Sequence, residues 1–170
     1  VQLVDKKVGD GEPVYIAAEG GLTNWGDLNL AKQQVDAAMA AGCDAIKFQA
    51  QTTEDLVSKK ESPYWYQRVK YKELSYNDLR DLRSYCAIRN IEYFVTAHVE
   101  RDLDFLDEEL DVPFLKVGSG ESVNYDFLEN VGSRKKPVIM SLGLHLTDDE
   151  IKRSIAALED RKSTCLNSSH

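Results

Sequence analysis

Five apolar runs, each closing on a residue able to do chemistry, limit this chain to a small set of folds. They read VYIAAEG from Val14, AIKFQAQ from Ala45, IEYFVTAH from Ile91, PFLKVGSG from Pro113 and PVIMSLG from Pro137. Stretches with helical period lie between them, and strand-helix alternation of this kind specifies a parallel sheet with right-handed crossovers. Every strand of such a sheet points its carboxyl end to the same side. Glu19, Lys47, Gln49, Thr96, Lys116, Ser119 and Ser141 are therefore expected to meet at one crevice.

The intervening helices carry their own start and stop signals. Asp27 can cap a helix with Ala31, Val35, Ala38 and Met39 on one face, ended by Gly42. Ser75 with Asp78, and Thr147 with Glu150, have capping-box spacing ahead of the stripes Leu79, Leu82, Cys86 and Ile151, Ile155, Leu158. Leu103, Leu106 and Leu110 mark a third face, and a short helix spans about Tyr125 to Val131. The stretch from Thr52 to Leu74 has no clean period and holds Tyr64, Trp65, Tyr66 and Tyr71. A connection this long, with aromatics to bury, reads as an ordered flap over the strand ends.

Composition removes some functions. A formal charge of -8 is wrong for non-specific binding to nucleic acid or an anionic membrane. Cys43, Cys86 and Cys165 make no zinc-like spacing and cannot all pair, which suits a reduced, cytoplasmic protein. No apolar run reaches transmembrane length, and residues 1–13 lack the core of a signal peptide.

The lysines are the most informative residues. Lys47 in AIKF and Lys116 in FLKV sit within runs that should be buried on both faces, and a buried ammonium needs an anion to face. One such lysine could snorkel or pair with a carboxylate; two at similar heights point to a bound anion. KVGSGES adds peptide N–H donors at Gly118 and Gly120 and the Ser119 hydroxyl. Glu19 can pair with Lys47 or move a proton, and the residues alone leave both open. His98 and His145 fall just past strand ends without a third metal ligand, while Asn24 and Trp25 either line a pocket or shape the first loop.

AAEGGLTNWGDLNLAKQQVDAAMAAGCDAIKFQAQTTEDLVS resembles the start of the N-acetylneuraminate (sialic acid) synthase family, and IEYFVTAH, VPFLKVGSGE and KPVIMSLG resemble its later strand motifs. The likeness runs from about residue 14 to 158. It implies a (β/α)8 TIM barrel that condenses phosphoenolpyruvate with an N-acetylated amino sugar such as N-acetylmannosamine, giving a nonulosonic acid and phosphate. By this resemblance Lys47, Thr96, Lys116, Ser119 and Ser141 match positions that hold phosphoenolpyruvate, Gln49 and Glu121 match positions near the sugar, and Glu19 matches the active-site glutamate. It also implies a homodimer and a manganese ion, whose histidine ligands in the family lie on later strands.

Departures from the family pattern limit what carries over. Thr23-Asn24 stands for Asn-His, Ala97-His98 for Pro-Phe, and Leu142 for Thr. About five βα units make an incomplete barrel, since a whole one takes about 250 residues. The expected organisation is a lead-in over 1–13, a partial barrel over 14–160 and a non-native tail over 161–170, without turnover by these residues alone. Two other readings compete: an aldolase with a Schiff-base lysine at Lys47 or Lys116, and a non-catalytic assembly module whose open edges are covered by another chain.

Overall fold

The computed structural model describes residues 2–143 and 147–159, together with the backbone of 165–168. β1 (Gln2–Leu3) and β2 (Lys6–Lys7) form a small antiparallel pair. A parallel sheet follows, made of β3 (Ala17–Gly21), β4 (Ala45–Gln49), β5 (Glu92–Ala97), β6 (Leu115–Val117), β7 (Val138–Ser141) and β8 (Cys165–Ser168). Its strands lie side by side in sequence order. A doubly wound sheet reverses that order at a switch point, whereas a barrel never does. The chain is an α/β structure of the TIM-barrel type, with the barrel incomplete.

The helices are α1 (Leu28–Ala40), α2 (Thr53–Leu56), α3 (Pro63–Lys70), α4 (Tyr76–Arg89), α5 (Glu100–Asp104), α6 (Tyr125–Ser133) and α7 (Asp148–Glu159). α5 continues as a π-helical turn over Phe105–Glu109. Local chemistry fixes their starts. Asp27 accepts from the Asn29 and Leu30 amides, Ser75 and Asp78 close a capping box, and Thr147 and Glu150 bond reciprocally ahead of α7.

Strand pleating divides the sheet into two unlike faces. Ile46, Phe48, Val95, Ala97, Leu115, Val117, Val138 and Met140 point outward and pack with Val35, Leu79, Leu82, Leu106, Leu128 and Leu158 from the helices. Alternate residues point inward. At the amino ends of the strands these are Ala45, Phe94 and Phe114, closed by Leu3 from β1. The small β1–β2 pair thus plugs one end of the inner face, within the stretch expected to be only a lead-in.

One sequence expectation meets a different structure. The flap is ordered into α2 and α3, but Tyr64, Trp65 and Tyr71 are mostly exposed rather than buried. Hydrogen bonds hold this stretch instead: buried Asp102 accepts from the Thr52 amide and hydroxyl and from Tyr76, and Glu73 accepts from Thr53. Residues 165–168, which lie in the stretch set apart as a tail, pair in parallel with β7 from Val138↔Cys165 to Ser141↔Ser168. His145 lies outside the described residues. No described helix is long and apolar enough to cross a membrane.

Candidate active site

Register sets what reaches the carboxyl ends. Glu19 pairs with Lys47 across β3 and β4, Gln49 with Thr96 across β4 and β5, and Thr96 with Lys116 across β5 and β6. Parallel partners point to the same side, and each of these residues lies an even number of places from an inward one, so all face the inside. Ser141, two residues beyond inward Ile139, joins them at the end of β7. Below them lies the apolar plug. The expected convergence is present.

The first contact is an ion pair. Lys47, only 8% exposed, places its Nζ 2.9 Å from Glu19 Oε2. The Glu19 side chain is 60% exposed, so this pair contributes little to folding, about 1 kcal/mol or less. Its effect is to hold the ammonium on the inner face.

Lys116 has no such partner among the described residues; its Nζ donates to the Val117 carbonyl oxygen at 2.6 Å. Burial, followed by repulsion from the Lys47 charge, lowers its pKa to about 8, against opposing contributions from Glu19 and Glu121. The two lysines, from strands separated by β5, therefore feel each other across one space. A cationic pair of this kind is poised for an anion.

Hydroxyls line the neighbouring wall. Ser119 Oγ and Ser141 Oγ are 2.8 Å apart, linking the turn after β6 to the end of β7. A methyl at Gly143 would come within 2.7 Å of Ser119 Oγ, so the backbone approaches closely only because that residue is glycine. Thr96, 2% exposed, has a buried Oγ1 with no hydrogen-bond partner. Gln49 Oε1 accepts from Gln51 at 3.1 Å.

Other readings are now decided. Asn24 shapes the first loop: fully buried, it donates to Gly21 O and accepts from the Gly26 amide. Trp25 lies half exposed against Tyr71, with the Lys72 ammonium 4.6 Å from its ring centre. His98, just past the end of β5, binds Glu121, Nδ1 to Oε1 at 3.0 Å. Counting in twos along β5 from Thr96 would have placed it on the inner face. No group of three or more His, Cys, Asp or Glu side chains able to hold a metal converges among the described residues.

Clefts elsewhere have other characters. One of about 430 Å³ lies at the amino ends of the strands, lined by Tyr15, Asp44, Arg83 and Glu92. Asp44 there is an ion-pair partner of Lys6 and accepts from the Ile16 amide, which ties the plug to the sheet.

Comparison with known proteins agrees with this fold. Residues 34–168 match the model of the NeuB family. An uncharacterized protein of Methanocaldococcus jannaschii is 38% identical over 94% of this chain and 46% of its own length. The N,N'-diacetyllegionaminic acid synthase of Legionella pneumophila is 36% identical over 82% of this chain and 42% of its own. Among solved structures, the N-acetylneuraminic acid (sialic acid) synthetase of Leptospira borgpetersenii, in complex with citrate, superimposes with a TM-score of 0.89 at 31% identity, over 98% of this chain and 57% of that one. The chain spans under half the length of the curated relatives it matches.

Proposed function

This chain belongs to the NeuB family, and on that premise we propose that its strand-end mouth holds the anionic donor of a nonulosonic acid synthase-type condensation. The donor is phosphoenolpyruvate and the acceptor an N-acetylated amino sugar in its open-chain aldehyde form. The observation that carries this reading is the cationic pair: two inward lysines on one face, one of them without a carboxylate partner among the described residues.

In this reading Lys47, Lys116, Thr96, Ser119 and Ser141 grip the carboxylate and phosphate. The enol carbon of the donor attacks the acceptor aldehyde, forming the new C–C bond as the aldehyde C=O opens to a hydroxyl that takes up a proton, and leaving positive charge at the donor's second carbon. Water adds there and loses a proton, which balances the one taken up; the C–O bond to phosphate then breaks as the added hydroxyl forms the ketone and its proton leaves with the phosphate. Glu19 orients Lys47 and stands beside the charge that develops, while Gln49 and Glu121 face the acceptor. Preset cations and hydroxyls supply the electrostatic part of catalysis without having to reorganise.

Calorimetry with phosphoenolpyruvate tests this. Lys116→Met should weaken binding about 10- to 100-fold, the worth of a charge-assisted contact of about 1.5–3 kcal/mol. Equal affinity in the variant and the parent contradicts the reading.

The lowered pKa of Lys116 favours one second reading, a Schiff-base aldolase, because such a lysine is nucleophilic near neutrality. Borohydride reduction in the presence of a carbonyl substrate separates the two. A covalent adduct on Lys116 selects the aldolase; an unmodified lysine in a chain that binds phosphoenolpyruvate selects the synthase.

A further inference from the structure

Anion holding leaves one arrangement at the rim of the mouth unused. The side chains of His98 and Glu121 are only 18% and 14% exposed, and they bond to each other 23 residues apart in sequence. A methyl at Gly118 would fall 2.5 Å from Glu121 Oε2, 3.3 Å from His98 Cε1 and 3.6 Å from Thr96 Cγ2. The three side chains thus crowd the backbone of Gly118, where only glycine fits. Besides Thr96 Oγ1, which the anion reading uses, two of their buried polar atoms have no hydrogen-bond partner: His98 Nε2 and Glu121 Oε2. Buried polar atoms are nearly always bonded, so two orphans on one bonded pair mark where a ligand supplies the missing partners.

The hydrogen inventory says what kind of ligand. A carboxylate only accepts, so His98 Nδ1 must carry the hydrogen shared with Glu121. In the neutral ring Nε2 is then a bare acceptor, and Glu121 Oε2 is a second one. Two unpaired acceptors on one bonded pair select a donor-rich group such as the hydroxyls of a polyol and disfavour a carboxylate or phosphate, which offers none. Position agrees with this. Thr96 pairs with Lys116 in register, and His98 lies two residues nearer the rim. The anion therefore sits deeper and the polyol above it.

We propose that His98 is a specificity-determining residue, locked in orientation by Glu121, whose Nε2 accepts a hydrogen bond from one hydroxyl of a polyhydroxy aldehyde acceptor. The proposal rests on the reading of the mouth as a phosphoenolpyruvate site. It assigns His98 to recognition of the acceptor, not to the chemical step.

The test uses the full chain, phosphoenolpyruvate, and a series of N-acetylmannosamine analogues each lacking one hydroxyl. His98→Phe keeps a ring and removes both nitrogens; His98→Gln restores an acceptor. Phosphoenolpyruvate affinity should stay within about twofold in both variants, while acceptor affinity, read by calorimetry on the phosphoenolpyruvate complex, falls about tenfold in His98→Phe, and His98→Gln recovers most of that loss. One deoxy analogue should be disfavoured about tenfold by the parent and not at all by His98→Phe. If the phenylalanine variant does not fold, His98→Leu takes its place. Normal phosphoenolpyruvate binding with an unmoved acceptor affinity or an unmoved hydroxyl preference overturns this proposal alone. A parent chain that does not bind phosphoenolpyruvate overturns the reading of the mouth, and the proposal with it.

Discussion

The outward and inward faces of the one parallel sheet are built from alternating residues of the same strands, yet they differ in almost every property. Phe48 and Val95 point out and are wholly buried against helices; Lys47 and Thr96, one residue away on each strand, point in and meet charge and unbonded polar atoms. The lesson is that stability and chemistry can be separated by a single step along a strand. The outward face carries the apolar burial that holds the fold. The inward face tolerates polar residues left without partners because a ligand can complete them.

The largest effect should come from confusing the faces. Phe48→Ala removes a fully buried ring and should cost about 3–5 kcal/mol in denaturant unfolding. Thr96→Val keeps the shape and deletes only an orphan hydroxyl, so the same measurement should show no loss, while phosphoenolpyruvate affinity falls. A Thr96→Val chain destabilised as much as Phe48→Ala would erase the distinction.

Lys116 should show an intermediate effect in two ways. Because its folded-state pKa lies near 8, below the ordinary 10.5, the unfolded chain binds more protons between those values. Stability contributed by this group should therefore rise as pH increases from about 8 to about 10.5, and the rise should vanish in Lys116→Met. Anion affinity should run the other way, declining as pH climbs through about 8 and the lysine loses its charge. Parallel urea titrations and calorimetry across this range check both signs, and a pH-independent affinity would sharpen the comparison against Lys116.

The smallest effect belongs to the serine pair. Ser141→Ala removes one bond to Ser119 and should change stability by about 1 kcal/mol or less. Its effect on phosphoenolpyruvate affinity should be smaller than that of Lys116→Met.

Much of this was legible before any coordinates. Strand-helix alternation forces carboxyl ends together, so Lys47, Thr96, Lys116 and Ser141 could be assigned to one mouth from sequence order alone. Caps at Asp27, Ser75 and Thr147 were legible because they are local chemistry over three or four residues. What escaped depends on distant partners. His98 meets Glu121 only through the β5–β6 register, and no local pattern announces it. The β1–β2 plug is too short to show a period, and Leu3 reveals its place only against Phe94 and Phe114. The flap aromatics misled because hydrophobic content predicts burial, whereas buried Asp102 and its hydrogen bonds order that stretch with the rings outside.

The central claim, that inward residues of separate strands share one anion-holding space, is tested most directly by following Lys116 Nζ through a pH titration by nuclear magnetic resonance, in the parent and in Lys47→Met. The account predicts a midpoint near 8 in the parent, moving up toward 10.5 once the Lys47 charge is gone. A midpoint at the ordinary lysine value, or one that ignores Lys47, would contradict it.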